Sequence, residues 1–231
     1  YRSAEKKRIA AALLANSSIL VVSEPGAGKS FLATAVREEL QSQNFVTAVP
    51  EKGTQKQIFL SLAEQLGVDT ETIEGKNMNV QQLQEAIAEW LEQNTAFLIL
   101  DDADRFPVSL RTWLEKLHLQ EQPMLLLATY PPKRDIFLKL PRIELEPLSD
   151  VDIREIMNEE AYNLGIELSN SQLAHLQQRT GGNPMLAHIV VREEYLGLEG
   201  HALDNTNWVD GTPFLVAALM CFMVIRFLGL G

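Results

Sequence analysis

The run Ser23-Glu24-Pro25-Gly26-Ala27-Gly28-Lys29-Ser30 restricts what this chain can fold into more than any other stretch. It follows the apolar segment Ser18-Ile19-Leu20-Val21-Val22 and precedes Phe31 to Leu40, where apolar residues recur at helical spacing. A strand, a Gly-rich turn and a helix in that order let backbone N–H groups curl around a phosphate, and the helix N-terminus adds partial positive charge. In that arrangement Glu24, Pro25, Gly26, Ala27 and Gly28 form the cradle, with Phe31 beside it. Lys29 reaches the β- and γ-phosphates of a nucleotide, and the Ser30 hydroxyl ligates Mg²⁺. The usual pattern opens with Gly, where this chain has Ser23; an ordinary surface turn ending in Gly-Lys-Ser is the competing reading.

A second motif follows about seventy residues on. Thr95-Ala96-Phe97-Leu98-Ile99-Leu100 is continuously apolar, as in a strand buried on both faces, and it ends in Asp101-Asp102-Ala103-Asp104. Carboxylates at the carboxyl end of a central parallel strand sit at the mouth of the crevice where ligands bind. Asp101 is placed to hold Mg²⁺ through water, and Asp102 to orient or deprotonate an attacking water. Asp104 reads either as a third carboxylate of the site or as the cap of a helix from Pro107 to Leu117. Two independent motifs in the correct order favour nucleotide binding over two unrelated turns.

The chain has 231 residues, 46% of them apolar, enough for one α/β domain and a smaller helical one. The formal net charge is −11, and it is unevenly spread. Residues 1–148 carry 16 basic and 20 acidic side chains; the remainder carries 4 and 11. Sequence-independent binding to nucleic acid needs clustered Lys and Arg, so the carboxyl-terminal part is disfavoured for it. Basic clusters remain around Lys6-Lys7-Arg8 and around Lys133, Arg134, Lys139 and Arg142. Cys221 is the only cysteine, which excludes an intrachain disulfide and a zinc cluster. No secretory signal opens the chain, and a reduced, cytoplasmic setting is expected for the body; the first residue is Tyr1 rather than Met, as in a trimmed fragment.

The pattern alternates along the chain. It predicts an amphipathic helix over 4–15, a strand over Phe45–Val49, helices over Gln55–Leu66 and Val80–Glu92, and a helix through Leu110, Trp113 and Leu117. Strands are predicted over Met124–Thr129 and Arg142–Leu145. Strands alternating with helices imply a parallel sheet covered on both faces. Pro147-Leu148-Ser149-Asp150 marks a boundary, beyond which the period is helical only: Asp150–Leu164, Ser169–Gln178 and Pro184–Leu196.

These motifs, in this order, resemble the AAA+ ATPases and the related STAND NTPases over roughly residues 5–197. The resemblance implies an α/β fold: a P-loop NTPase parallel sheet with flanking helices (1–148), followed by a small helical lid (149–200). It implies ATP and Mg²⁺ as ligands and an oligomeric ATPase acting as a switch or motor. Asp102 stands where many AAA+ members carry Glu, and the double Asp is more typical of STAND proteins. Thr129 matches the sensor position that hydrogen-bonds the γ-phosphate or the attacking water. Thr180-Gly181-Gly182-Asn183-Pro184-Met185-Leu186-Ala187 looks like the lid turn that contacts adenine and ribose, with Pro184 among the binding residues. Met185 and Leu186 replace the arginine that many lids place there. An arginine from a neighbouring subunit would neutralise charge on the γ-phosphate; Arg142 is the first candidate, then Arg134, with Arg105 and Arg111 weaker. A similar layout occurs in ATPases of type II secretion assembly and of transposition regulation, so a DNA-associated regulator is the alternative.

After an acidic linker (201–213), residues 214–230 are apolar apart from Arg226. A spanning helix needs about 20 apolar residues, and Trp208 sits where an interfacial aromatic anchors one. A carboxyl-terminal apolar helix over 214–231, tethering the protein to a membrane, is expected; a buried helix or an oligomer contact would also use such a run.

Overall fold

The computed structural model describes residues 1–197. The linker expected over 201–213 and the apolar helix expected over 214–231 lie outside the described residues. The amino-terminal part alternates helix and strand: α1 (Ser3–Leu14), β1 (Ile19–Val22), α2 (Lys29–Ser42), β2 (Val46–Ala48), α3 (Gln55–Leu66), α4 (Val80–Gln93), β3 (Ala96–Leu100), α5 (Val108–Leu119), β4 (Met124–Ala128) and β5 (Arg142–Glu144). Three helices follow: α6 (Asp150–Leu164), α7 (Asn170–Thr180) and α8 (Pro184–Tyr195).

The five strands form one parallel sheet in the order β2-β3-β4-β1-β5. The three central strands, β3, β4 and β1, are apolar throughout because they are buried on both faces, whereas the edge strands β2 and β5 carry exposed residues. Successive side chains alternate sides, so Ile19, Val21, Phe97, Ile99, Leu125 and Leu127 pack against α1 and α2. Leu20, Val22, Leu98, Leu100, Leu126 and Ala128 pack on the opposite side against α3, α4 and α5. The helices begin where the sequence supplies acceptors. Thr54 with Gln57, Asn79 with Gln82 and Ser169 with Gln172 form reciprocal capping boxes.

The last three helices bury a separate core of Ile153, Ile156, Met157, Leu173, Leu176, Ala187, Val190 and Val191. This unit folds back onto the sheet's carboxyl end, where Leu148 N donates to Gly182 O at 2.9 Å. Met185 N donates to Gly26 O at 3.3 Å, so the start of α8 lies against the turn that leaves β1.

Candidate functional site

The turn between β1 and α2 is built on two left-handed glycines, Gly26 (φ 77°) and Gly28 (φ 90°). Gly26 also has no room for a side chain: a Cβ there would lie 2.7 Å from Met185 Cβ and 2.9 Å from Asn183 Oδ1. Gly28 is the N-cap of α2 and provides no side-chain cap, so the first-turn N–H groups are open to an anion. Lys29 Nζ donates to Ser23 O (2.9 Å), Glu24 O (3.0 Å) and Ser23 Oγ (3.2 Å), which satisfies all three ammonium protons. Burial pulls the Lys29 pKa below the ordinary lysine value, with Asp101, Asp104 and Asp102 acting in the opposite direction. Ser23, which departs from the usual glycine, thus supplies the lysine with an extra acceptor.

The acidic run after β3 meets this turn. Ser30 Oγ donates to Asp101 Oδ2 at 2.5 Å, joining two motifs 71 residues apart. Asp101 Oδ1 accepts from Asp102 N at 2.9 Å. Asp102 adopts φ 51° and pairs with Lys52 Nζ at 2.5 Å and, more distantly, with Arg105 at 4.0 Å. The hydrogen bond from Lys52 holds the Asp102 carboxyl below the usual carboxylate range, partly offset by burial. Of the two readings of Asp104, the helix cap does not form: α5 starts at N-cap Pro107 without a side-chain cap. Its two carboxylate oxygens instead accept from Thr129 N and Tyr130 N, each at 3.2 Å, because those amides leave the end of β4 without a sheet partner.

Pro25, Gly26, Gly28, Lys29, Ser30, Phe31, Asp101, Asp102, Asp104 and Thr129 line one polar cleft of about 410 Å³, together with Arg105 and Tyr130. An apolar cleft of about 530 Å³ adjoins it, bounded by Arg2, Ala27, Phe31, Leu32, Leu148, Ile156, Pro184, Met185 and His188. Phe31 therefore stands between the two, largely exposed. Glu24 and Arg142 line a third cleft of about 340 Å³ behind the turn, which Thr129 also borders. Arg142 is not brought to the polar cleft; its Nε bonds Glu144 Oε1 at 2.9 Å on the same edge strand. Arg134 is exposed beside Asp135 at 3.8 Å. Arg111 is removed from the candidates for a neighbour-directed arginine: it is 4% exposed, pairs with Asp135 at 3.3 Å and lies over the Phe137 ring.

Three participants escaped the sequence reading, and a fourth, Asn183 of the expected lid turn, gains a specific partner. Lys52 reaches Asp102 from the loop after β2. Arg2 Nη2 donates to Ala27 O (3.0 Å) and Glu146 O (2.9 Å), tying the turn to the connection into α6. Asn183 Nδ2 donates to Pro25 O at 2.9 Å, so the start of α8 is joined to the turn. His188 faces the apolar cleft. Of the four, only Asn183 lay in a stretch that the sequence singled out, the turn from Thr180 to Ala187.

The family model of the AAA domain matches residues 14–137. The chain belongs to the AAA family. Solved structures of the same fold include a DNA replication initiation factor (TM-score 0.57, 17% identity, 86% of this chain and 62% of that one). The AMPPCP-bound DnaA of Aquifex aeolicus aligns with TM-score 0.54 at 16% identity over 87% of this chain and 63% of its own. The Holliday junction branch migration motor RuvB of Thermotoga maritima aligns with TM-score 0.52 at 17% identity, covering 84% and 61%. This AAA domain thus spans about three fifths of the length of those chains. No curated protein matches it in sequence.

Proposed function

We propose that this AAA domain binds Mg·ATP and hydrolyses it, working as an oligomeric switch or motor. The observation that carries the reading is the Ser30–Asp101 contact, which puts a hydroxyl and a carboxylate from two separate motifs at one point beside Lys29. Two oxygen donors suit Mg²⁺, which takes few protein ligands and keeps water and phosphate oxygens for the rest. When bound there, Mg²⁺ would neutralise charge on the β- and γ-phosphate oxygens. The open amides of Gly28–Ser30 hold the phosphates, and Lys29 exchanges the oxygens of Ser23 and Glu24 for phosphate oxygens. Asp102 orients the attacking water for in-line displacement once it releases Lys52. Thr129, fixed through its N–H by Asp104, holds the γ-phosphate or the same water. The base lies in the adjoining apolar cleft against Pro184.

Lys29→Ala is expected to abolish nucleotide binding, and Asp102→Asn to keep binding while stopping phosphate release. Hydrolysis at the original rate by Asp102→Asn would remove Asp102 from the water-activating role. Arg134 and Arg105 suit a neighbour-directed arginine better than Arg142 does, because Arg142 is engaged by Glu144.

The domain limits 1–148 and 149–200, and a cytoplasmic body tethered by 214–231, form part of the same proposal. The tether is supported by the apolar run of 214–230; no helix among the described residues is long and apolar enough to cross a membrane. A DNA-associated role, suggested by a DnaA structure bound to AMPPCP and single-stranded DNA, ranks second. In the basic cluster near β5, Arg134 faces Asp135, Lys139 pairs with Glu115 and Arg142 with Glu144, so its net field is small.

A further inference from the structure

The apolar cleft contains one polar group whose hydrogen-bonding sense is fixed by the fold. His188 lies one turn into α8 and borders the cleft with Pro184 and Met185. Its Nδ1 is 2.8 Å from Glu160 Oε2, while Glu160 Oε1 accepts from Arg192 Nε at 2.6 Å. Glu160 is buried in α6. Its carboxyl is held below the usual range, first by the bond from Arg192, against the opposing effect of burial, and then by His188. An ionised carboxylate can only accept, so Nδ1 carries the proton. In the neutral ring the hydrogen bond at one nitrogen decides the state of the other, which leaves Nε2 as a lone-pair acceptor.

The other polar side chains around the cleft are donors only, can present either sense, or, like the Glu159 carboxylate, accept from a water-exposed position. Glu159 and Asn163 are exposed on α6, and an amide can present either oxygen or nitrogen. Arg2 is committed to two carbonyls and Lys6 to Glu39, and both are donors only.

We infer that His188 reads the nucleobase: its Nε2 accepts a hydrogen bond from the exocyclic amine of a 6-aminopurine, so the cleft selects adenine over purines that lack that amine. Glu160 is the positioning residue that fixes the tautomer. The inference rests on the reading that the apolar cleft takes the base of a nucleotide whose phosphates occupy the P-loop.

The test compares ATP, inosine triphosphate and purine riboside triphosphate (adenosine triphosphate without its amine) by calorimetric titration of the whole chain. Wild-type protein is expected to bind ATP about five- to tenfold more tightly than purine riboside triphosphate, the range of one neutral hydrogen bond. His188→Phe keeps an aromatic ring but no acceptor; its preference should fall to about twofold or less, with affinity for purine riboside triphosphate retained. Glu160→Gln should erode the same preference with His188 still present. A His188→Phe protein that keeps the full preference overturns the inference. Independently of any variant, the ¹⁵N spectrum of labelled imidazoles should show His188 protonated at Nδ1 and shifted at Nε2 by ATP; an Nε2–H tautomer overturns it. Equal binding of all three triphosphates by the wild type overturns this inference alone. Binding of none overturns the nucleotide reading as well.

Discussion

Asn183 serves two elements with one amide group, and replacing it separates their contributions. Its Oδ1 caps α8 by accepting from Met185 N at 3.0 Å and Leu186 N at 3.3 Å, while its Nδ2 donates to Pro25 O at 2.9 Å. Loss of an N-cap costs about 1 kcal/mol. The bond to Pro25 is solvent-accessible, which places it near the lower end for a hydrogen bond, about 0.5 kcal/mol. Asn183→Ala should therefore lose about 1.5 kcal/mol, and native-state hydrogen exchange of the α8 amides should accelerate about tenfold. Asn183→Asp keeps the one acceptor of both cap bonds, and its charge favours the helix N-terminus by about 0.3–1 kcal/mol. It removes only the donor to Pro25. Exchange of α8 in the Asp variant should thus stay close to wild type, while both variants bind ATP two- to threefold more weakly, on the order of the lost bond. Equal acceleration of exchange in the Ala and Asp variants would refute the capping argument. Unchanged ATP affinity in the Asp variant would refute the role of the link between α8 and the turn.

Lys52→Met frees Asp102, and basal phosphate release should rise several-fold with ATP affinity unaltered; a fall in turnover would mean that Lys52 assists the reaction. Gly26→Ala adds left-handed strain of about 1–2 kcal/mol and drives a methyl into Met185, so nucleotide binding should be lost by titration, and adding Met185→Ala should not restore it because Asn183 Oδ1 still lies 2.9 Å away. Acid should loosen the α6–α8 unit through Glu160, whose folded pKa is depressed. Its contribution is complete above the unfolded value of about 4.3 and lost as pH falls through the lower folded value, so exchange rates of α6 and α8 should rise there in wild type and be flatter in Glu160→Gln.

Most of the fold was legible because local pattern and tertiary burial agree. β3 and β4 are apolar without interruption and are buried on both faces; Leu83, Ile87 and Leu91 mark the buried face of α4 at intervals of four. The positions of the Gly-rich turn and of Asp101 were legible because both lie in short contiguous motifs. What escaped depends on folding across distance. Lys52 is 50 residues from Asp102 and sits in a loop with no period. Arg111 looks like a solvated helix residue until Asp135, in a left-handed turn, meets it in the interior. Asp104 could not be decided between site carboxylate and helix cap because the two amides beyond β4 that take its oxygens lie 25 and 26 residues away.

The strand order has a consequence for how the protein is made. β4 lies between β1 and β3, so the turn, which leaves the ribosome before Asp101, cannot meet it across a closed sheet until residues past Ala128 have been synthesised. The link from Asn183 to Pro25 closes later still, across 158 residues. At about 5–20 residues per second the nascent turn would wait roughly 8–30 seconds for that partner, a period when cellular ATP, however abundant, has no completed site to stabilise. On the proposed function, nucleotide would thus act on this chain as a reward for finished assembly and not as a template for it.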